Sequence, residues 1–245
     1  MMDTRVLLIL GASSDLGYAY IEKYGVRYDY ILAHCNHTME RLLELKKQIG
    51  DKLRIYKADF LDEDSTKEFM DKIDEDNIEP THIVYLPAPN LTYNKFSKIA
   101  WDNYLKSFEL QLRPLITILH KFLPDMAGKK YGKLVFVLSS CVVNEPPKYM
   151  ADYVTVKYAL LGLMKSLAVD YADKELNINA ISPSMIETKF LKGISDLMIQ
   201  KNAMNSPLKR NAVVDDIIPV IHFLLSEESN FMTGQNVVVA GGTVI

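Results

Sequence analysis

Val6-Leu7-Leu8-Ile9-Leu10 runs directly into Gly11-Ala12-Ser13-Ser14-Asp15-Leu16-Gly17, and that turn into Tyr18-Ala19-Tyr20-Ile21-Glu22-Lys23-Tyr24. The first five residues are a short, continuous apolar run, the pattern of a strand buried on both faces. The last seven suit a helix. A strand, a small-residue turn and a helix start together make a site for a pyrophosphate. The free N–H groups at the helix start point at the anion, and glycine lets the backbone come close to it. Gly11, Ser13, Ser14, Asp15, Leu16 and Gly17 are the candidate cradle. The other reading is a β–α turn that needs glycine for its backbone angles and binds nothing.

The rest of the chain repeats the alternation. Tyr30–Ala33, Leu53–Tyr56, Ile83–Leu86, Lys133–Leu138, Ile178–Ile181 and Val237–Val239 read as further strands. Helical stretches Met39–Ile49, Ser65–Ile73, Trp101–Leu123 and Tyr153–Tyr171 fall between them. Strands alternating with helices predict an α/β, doubly wound parallel sheet of seven strands, with helices on both faces and right-handed crossovers. No repeat, low-complexity segment or linker interrupts the pattern, so one domain over residues 1–245 is expected.

Composition agrees with an ordinary globular α/β chain, at 49% apolar and 24% charged residues. A net charge of −3 argues against a nucleic-acid footprint. No apolar run approaches the ~18 residues of a membrane span, and a cytoplasmic protein is the default expectation. Cys35 and Cys141 are too few for a disulfide framework and have no metal-ligand spacing, so no metal site is expected.

The chemistry concentrates near the middle. Tyr153 and Lys157 are four residues apart, one helical turn, and therefore share a face. Ser140 lies thirteen residues before the tyrosine. A free phenol titrates near ~10, and a neighbouring cation favours the phenolate and pulls that value down. Ser140 would then hold a substrate oxygen while Tyr153 moves a proton on or off it. The pair alone fits a solvated helix face equally well.

Taken together these residues resemble the short-chain dehydrogenase/reductase family, in its 3-oxoacyl-carrier-protein reductase-like branch. Gly11 to Gly17 resembles that family's Gly-x-x-x-Gly-x-Gly turn, and the Ser140, Tyr153, Lys157 spacing matches its active site. Pro183, Ile186 and Thr188 follow as in its Pro-Gly-x-Ile-x-Thr run. Ser206 to Arg210, Asp215 to Ile217, Thr233 to Gln235 and Gly241-Gly242 resemble its tail. The likeness covers essentially the whole chain in order. It implies a single-domain Rossmann fold and an NAD(P)-dependent oxidoreductase acting on a small-molecule carbonyl or alcohol, free or carrier-linked. It further implies Tyr153 as general acid/base, Lys157 as its modulator and ribose ligand, and Ser140 orienting the carbonyl. Ile186 and Thr188 would seat the carboxamide, and Asp59 and Phe60 would flank the adenine. A homo-oligomer, tetramer or dimer, would form through the Trp101–Leu123 and Tyr153–Tyr171 helices.

Several positions depart from that pattern. Asp15 stands where the phosphate turn usually has glycine, and a carboxylate beside a pyrophosphate is a cost unless it faces away or caps the helix. The family's Asn-Asn-Ala-Gly is Leu86-Pro87-Ala88-Pro89, in which only Ala88 survives and two prolines remove two donors. The supporting asparagine of the proton relay aligns with Gln111. Ser184 and Ala240 replace a further glycine and an aspartate.

Cofactor choice turns on His34-Cys35-Asn36-His37, which lacks the acid that would bind a ribose 2′-hydroxyl. NADP is therefore preferred over NAD, with Ser13, Ser14 and Asn36 as 2′-phosphate contacts, although no arginine occupies the usual clamping places. His34 and His37 read as ordinary loop polarity. Met185, Phe190, Leu191, Leu197, Met198 and Met204 suit either an apolar substrate lid or a helix packing its greasy face on the body. Lys148 and Lys192 either meet an anionic carrier or are simply solvated. Two alternatives to the oxidoreductase stand open. One is a non-catalytic dinucleotide-binding or partner subunit, favoured by Asp15, the Leu86–Pro89 segment and Gln111. The other is an isomerase or dehydratase on sugar nucleotides, whose relatives are longer.

Overall fold

A computed structural model of the chain describes residues 4–143 and 145–244. Seven parallel strands form one sheet in the order β3-β2-β1-β4-β5-β6-β7. They are β1 Val6–Leu10, β2 Tyr30–Cys35, β3 Leu53–Lys57, β4 His82–Tyr85, β5 Gly132–Val137, β6 Leu176–Pro183 and β7 Asn236–Val239. The register is set by pairs such as Ile9 with Ala33 on one side of β1 and Ile9 with Val84 on the other.

The helices are α1 Asp15–Tyr24, α2 Glu40–Ile49, α3 Glu63–Glu75, α4 Trp101–Gln111, α5 Arg113–Gly128, α6 Ala151–Asp170, α7 Asp196–Asn205 and α8 Val214–Leu224. Strand pleating sends alternate residues to opposite layers. Val6, Leu8 and Leu10 pack with α3, α5 and α6 residues such as Phe69, Ile118 and Leu160. Leu7 and Ile9 pack with Tyr20, Ile21, Leu42 and Ile218 of α1, α2 and α8. That double burial is why β1 carries no polar residue.

The expected Trp101–Leu123 helix is two helices, broken at Leu112. Pro114 lacks the N–H that would reach the Leu110 carbonyl, and its ring crowds that turn. Arg113 then pins the start of α5, donating to the Leu61 carbonyl at 2.7 Å and pairing with Glu63. α1 starts three residues before the expected Tyr18, at Asp15, where Ser14 caps it, and the other expected elements agree within one or two residues at their ends.

The closing Ala240–Ile245 segment reads as a buried tail, but in the fold only Ala240 is buried and Gly241–Thr243 are exposed. Ile245 lies outside the described residues. Among the described residues no helix is long and apolar enough to cross a membrane.

Candidate active site

Strand order reverses between β1 and β4, and a cavity opens at the carboxyl ends of those strands, where open α/β sheets hold their ligands. Its volume is about 510 Å³. Ser13, Ser14, Asp15 and Leu16 line it from the turn after β1, and Ala88 from the segment after β4. Ser140, Tyr153 and Lys157 line it from the β5 loop and α6, and Pro183, Ile186 and Thr188 from the segment after β6. Eleven candidates widely separated in sequence thus share one cavity wall. Gly11, Gly17, Asn36, Asp59, Phe60 and Gln111 are not on that wall.

The turn is built for close approach. Gly11 has φ +85°, a left-handed conformation that L side chains rarely adopt. A Cβ on Gly17 would sit 2.8 Å from the Cα and carbonyl oxygen of Ala12, so only glycine lets α1 start against the turn. Ser14 caps α1, its Oγ accepting the Gly17 N–H at 3.1 Å. The N–H groups of Asp15 and Leu16 take no protein acceptor among the described residues. A helix start with free donors fits the pyrophosphate of a dinucleotide.

Asp15 is neutralised rather than aimed at the anion. Arg41 of α2 donates to Oδ1 at 2.7 Å, and the Lys189 N–H donates to Oδ2 at 2.8 Å. Burial works to raise its pKa, but these bonds outweigh it and hold the carboxyl below the ordinary aspartate value. The same carboxylate therefore ties the segment after β6 to the phosphate turn. Arg41 also lies over the Tyr18 ring, 4.3 Å from its centroid. Sequence position gave no reason to single out Arg41, because α2 brings it back to α1 only in three dimensions.

His34 is a cross-brace, not loop polarity. It ends inside β2, 4% exposed. Its Nδ1 accepts the Gly11 N–H at 3.1 Å, so Nε2 holds the proton and donates to the Ala58 carbonyl at 3.1 Å. The ring stacks on Phe60, centroids 3.9 Å apart. Burial pushes its pKa down to about 4, so it stays neutral. Phe60, expected beside the adenine, is accordingly buried under His34. Asp59 turns its Oδ1 back to the Leu61 N–H at 3.0 Å.

Around the catalytic candidates, burial overrides the expected effect of the lysine. The Lys157 ammonium lies 5.6 Å from the Tyr153 ring centroid and donates to the Val137 carbonyl at 3.2 Å. Burial pushes the Tyr153 phenol well above its ordinary value, Cys141 and Tyr93 add to that, and hydrogen bonding by the Ser139 side chain works against it. Ser139, which also lines the cavity, was overlooked in the sequence. The adjacent Ser139-Ser140 pair was the available signal. Cys141 is a buried free thiol beside both.

Gln111 is fully buried at the end of α4, and neither its amide oxygen nor its amide nitrogen has a partner among the described residues. Its backbone carbonyl accepts the Tyr85 hydroxyl at 2.6 Å. Of the apolar lid residues, Met185, Phe190 and Leu191 reach the cavity. Leu197 and Met204 of α7 face solvent at 75% and 71% exposure, and Lys148 and Lys192 are exposed off the cavity wall.

Lys157 carries a pH signature. Burial draws its pKa from 10.5 to about 8. Between those values the unfolded chain holds a proton that the folded chain has lost, so stability rises with pH across that window. Below about 8 the cost of burying the ammonium, about 3 kcal/mol, is present in full. Unfolding by urea at about pH 7 and about pH 9.5 is expected to show the rise in the wild type and its absence in Lys157→Met. Equal slopes in both proteins would count against it.

A seven-stranded doubly wound sheet, a glycine turn at its switch point and a Ser-Tyr-Lys set on the opposite wall define a Rossmann-fold oxidoreductase. The family model described as enoyl-(acyl carrier protein) reductase matches residues 26–244. The chain belongs to the short-chain dehydrogenase/reductase family, oxidoreductases acting on carbonyl and alcohol groups.

The chain is 25% identical over 247 residues to acetoacetyl-CoA reductase of Cupriavidus necator, covering 98% of each chain. Its fold is similar to that of ElxO with NADP bound, at TM-score 0.86 and 22% identity over 98% of each chain. It is also similar to a 3-oxoacyl-[acyl-carrier protein] reductase with bound NAD from Brucella melitensis. There the TM-score is 0.85 at 21% identity, over 97% of this chain and 90% of that one.

Proposed function

We propose that the protein is an NADP-preferring reductase of a carbonyl compound. The observation that carries the reading is the single cavity shared by the free helix start at Asp15-Leu16 and by Ser140, Tyr153 and Lys157. When bound, the nicotinamide cofactor supplies or accepts the hydride.

Tyr153 donates the proton to the carbonyl oxygen during reduction and removes it during oxidation. Ser140, with Ser139 beside it, orients that oxygen. Lys157 provides the buried cation that favours phenolate character and takes the ribose hydroxyls. Pro183, Ile186 and Thr188 shape the wall where the carboxamide sits. Gly11 and Gly17 hold the turn for the pyrophosphate, which Ser13, Asp15 and Leu16 meet through their backbone. Ala88 and Asp59 border the adenosine side, and the Gln111 carbonyl holds the Tyr85 hydroxyl behind the site.

Arg41 favours NADP over NAD. It is a cation beside the phosphate turn, and its one ion pair among the described residues, with Asp15, leaves guanidinium donors for a 2′-phosphate together with Ser13 and Asn36. The similarity to acetoacetyl-CoA and 3-oxoacyl-carrier reductases supports a 3-oxoacyl-type substrate, free or carrier-linked. Trp101 and Leu105 on α4 and Tyr158 on α6 are 68%, 41% and 46% exposed, which suits pairing with a second copy of the chain.

Titration of nicotinamide fluorescence tests the reading. NADPH is expected to bind at least tenfold more tightly than NADH, a difference of about 1.4 kcal/mol. Arg41→Ala is expected to erase most of that difference. Equal affinity in the wild type would remove the NADP preference. No binding of either at millimolar concentration would favour a non-catalytic partner, in keeping with the stranded amide of Gln111.

A further inference from the structure

Two walls of the cavity that lie apart in the sheet are joined across it. Between β1 and β6 stand β4 and β5, so the ends of β1 and β6 are three strand spacings apart, about 14 Å. Asp15 follows β1 and Lys189 follows β6, yet the Lys189 N–H donates to the Asp15 carboxylate at 2.8 Å. Thr188 to Gly193 therefore form a strap that reaches back over the ends of β5 and β4 toward the phosphate turn. Thr188, Lys189, Phe190 and Leu191 of this strap line the cavity.

The strap has a firm stem and a slender clasp. At the stem the Glu187 N–H donates to the Ala212 carbonyl at 2.9 Å, and the Ala212 N–H to the Met185 carbonyl at 3.0 Å. At the far end Leu191 and Ile194 are buried, and Gly193 packs on the Leu91 carbonyl, where an added Cβ would lie 3.2 Å away. Between those ends, among the described residues, the bond to Asp15 is the one hydrogen bond that ties residues 188–193 to a distant part of the chain. Arg41 holds the same carboxylate from the other side at 2.7 Å and lies over the Tyr18 ring, so the clasp is anchored on α1 and α2.

The free N–H groups of Asp15 and Leu16 sit at the foot of this carboxylate. An anion accepting from them comes close to the Asp15 oxygens, and like charges repel unless the carboxylate turns away. Turning away breaks the bond to Lys189 and leaves that N–H free for the anion.

We propose that Asp15 is the latch of a strap over the cofactor groove: its carboxylate pins residues 188–193 to the phosphate turn, and the pyrophosphate of the cofactor enters by displacing it. The glycine more usual at position 15 offers no group for such a tie. The proposal rests on the dinucleotide-binding reading above and adds a gating step to it.

Two variants remove opposite partners of the bond. Asp15→Ala deletes the acceptor, and Lys189→Pro deletes the donor. Proline suits position 189, because Thr188 before it is extended, at φ −142° and ψ 170°, and residue 189 opens a short helical turn. Hydrogen exchange on nucleotide-free protein reads the latch alone. The Lys189 amide is expected to exchange about tenfold faster or more in Asp15→Ala, and the Leu191 amide to report the same release in Lys189→Pro. Stopped-flow nicotinamide fluorescence reads the gate. In the wild type the rate of NADPH association is expected to level off with rising NADPH, at the rate of strap opening. That plateau is expected to rise about tenfold or more in both variants.

Unchanged Lys189 exchange in Asp15→Ala overturns the latch. Faster exchange with an unchanged association rate overturns the gate and leaves the cofactor site standing. Absence of NADPH binding in the wild type removes the dinucleotide-binding reading and the gate with it, while exchange still shows whether the strap is tied.

Discussion

Tyr153→Phe is expected to lower kcat by about 10²–10⁴ while leaving NADPH affinity within about twofold, because the role proposed for the phenol is proton transfer in the transition state. The substitution removes one oxygen and keeps the ring that α6 packs into the main core, so the fold and the cofactor wall survive it. Steady-state kinetics on a neutral 3-oxo ester and a nicotinamide fluorescence titration on the same preparation check both halves. A variant retaining more than about a tenth of wild-type kcat would place the proton elsewhere. The Ser139 hydroxyl, which lines the same cavity wall, would then be the next to remove.

His34→Ala is expected to cost about 3–5 kcal/mol of stability. It deletes a buried ring stacked on Phe60 and leaves a cavity that β2 and β3 cannot close. It also strands the Gly11 N–H and the Ala58 carbonyl, each buried group costing about 1–3 kcal/mol when unpaired. His34→Leu separates the two contributions, since it restores most of the volume and none of the hydrogen bonds. Urea unfolding should rank wild type above His34→Leu and His34→Leu above His34→Ala. NADPH affinity should fall in both variants, because Gly11 opens the phosphate turn. An His34→Leu protein as stable as the wild type, with unchanged cofactor affinity, would show the cross-brace to be idle.

The layer architecture was legible because each strand had to bury both faces and each helix one. Val6–Leu10 has no polar position to offer solvent, and this alone places it in the middle of a covered sheet. Gly11, Gly17 and the Tyr153–Lys157 spacing were legible for a similar reason. A backbone that must approach an anion, and two side chains that must share a helical face, leave marks at short sequence range.

What lay out of reach depended on contacts between distant segments. Pro114 breaks the α4–α5 helix locally, but Arg113 fixes the start of α5 through the Leu61 carbonyl and Glu63, some fifty residues earlier. Asp15 read as a repulsive carboxylate until α2 returned Arg41, and the segment after β6 the Lys189 N–H, to its two oxygens. His34 read as a polar loop residue because its partners are a turn 23 residues earlier and a strand end 24 residues later. The pKa of Tyr153 turned on desolvation, which depends on everything packed around it, and one lysine four residues away could not reverse that. Sequence by itself determined the order of layers and the candidate site residues, because periodicity and local spacing are properties of the chain. Tertiary structure decided which charges are cancelled and how deeply the tyrosine and its lysine are buried, because electrostatics and burial are set by neighbours in space.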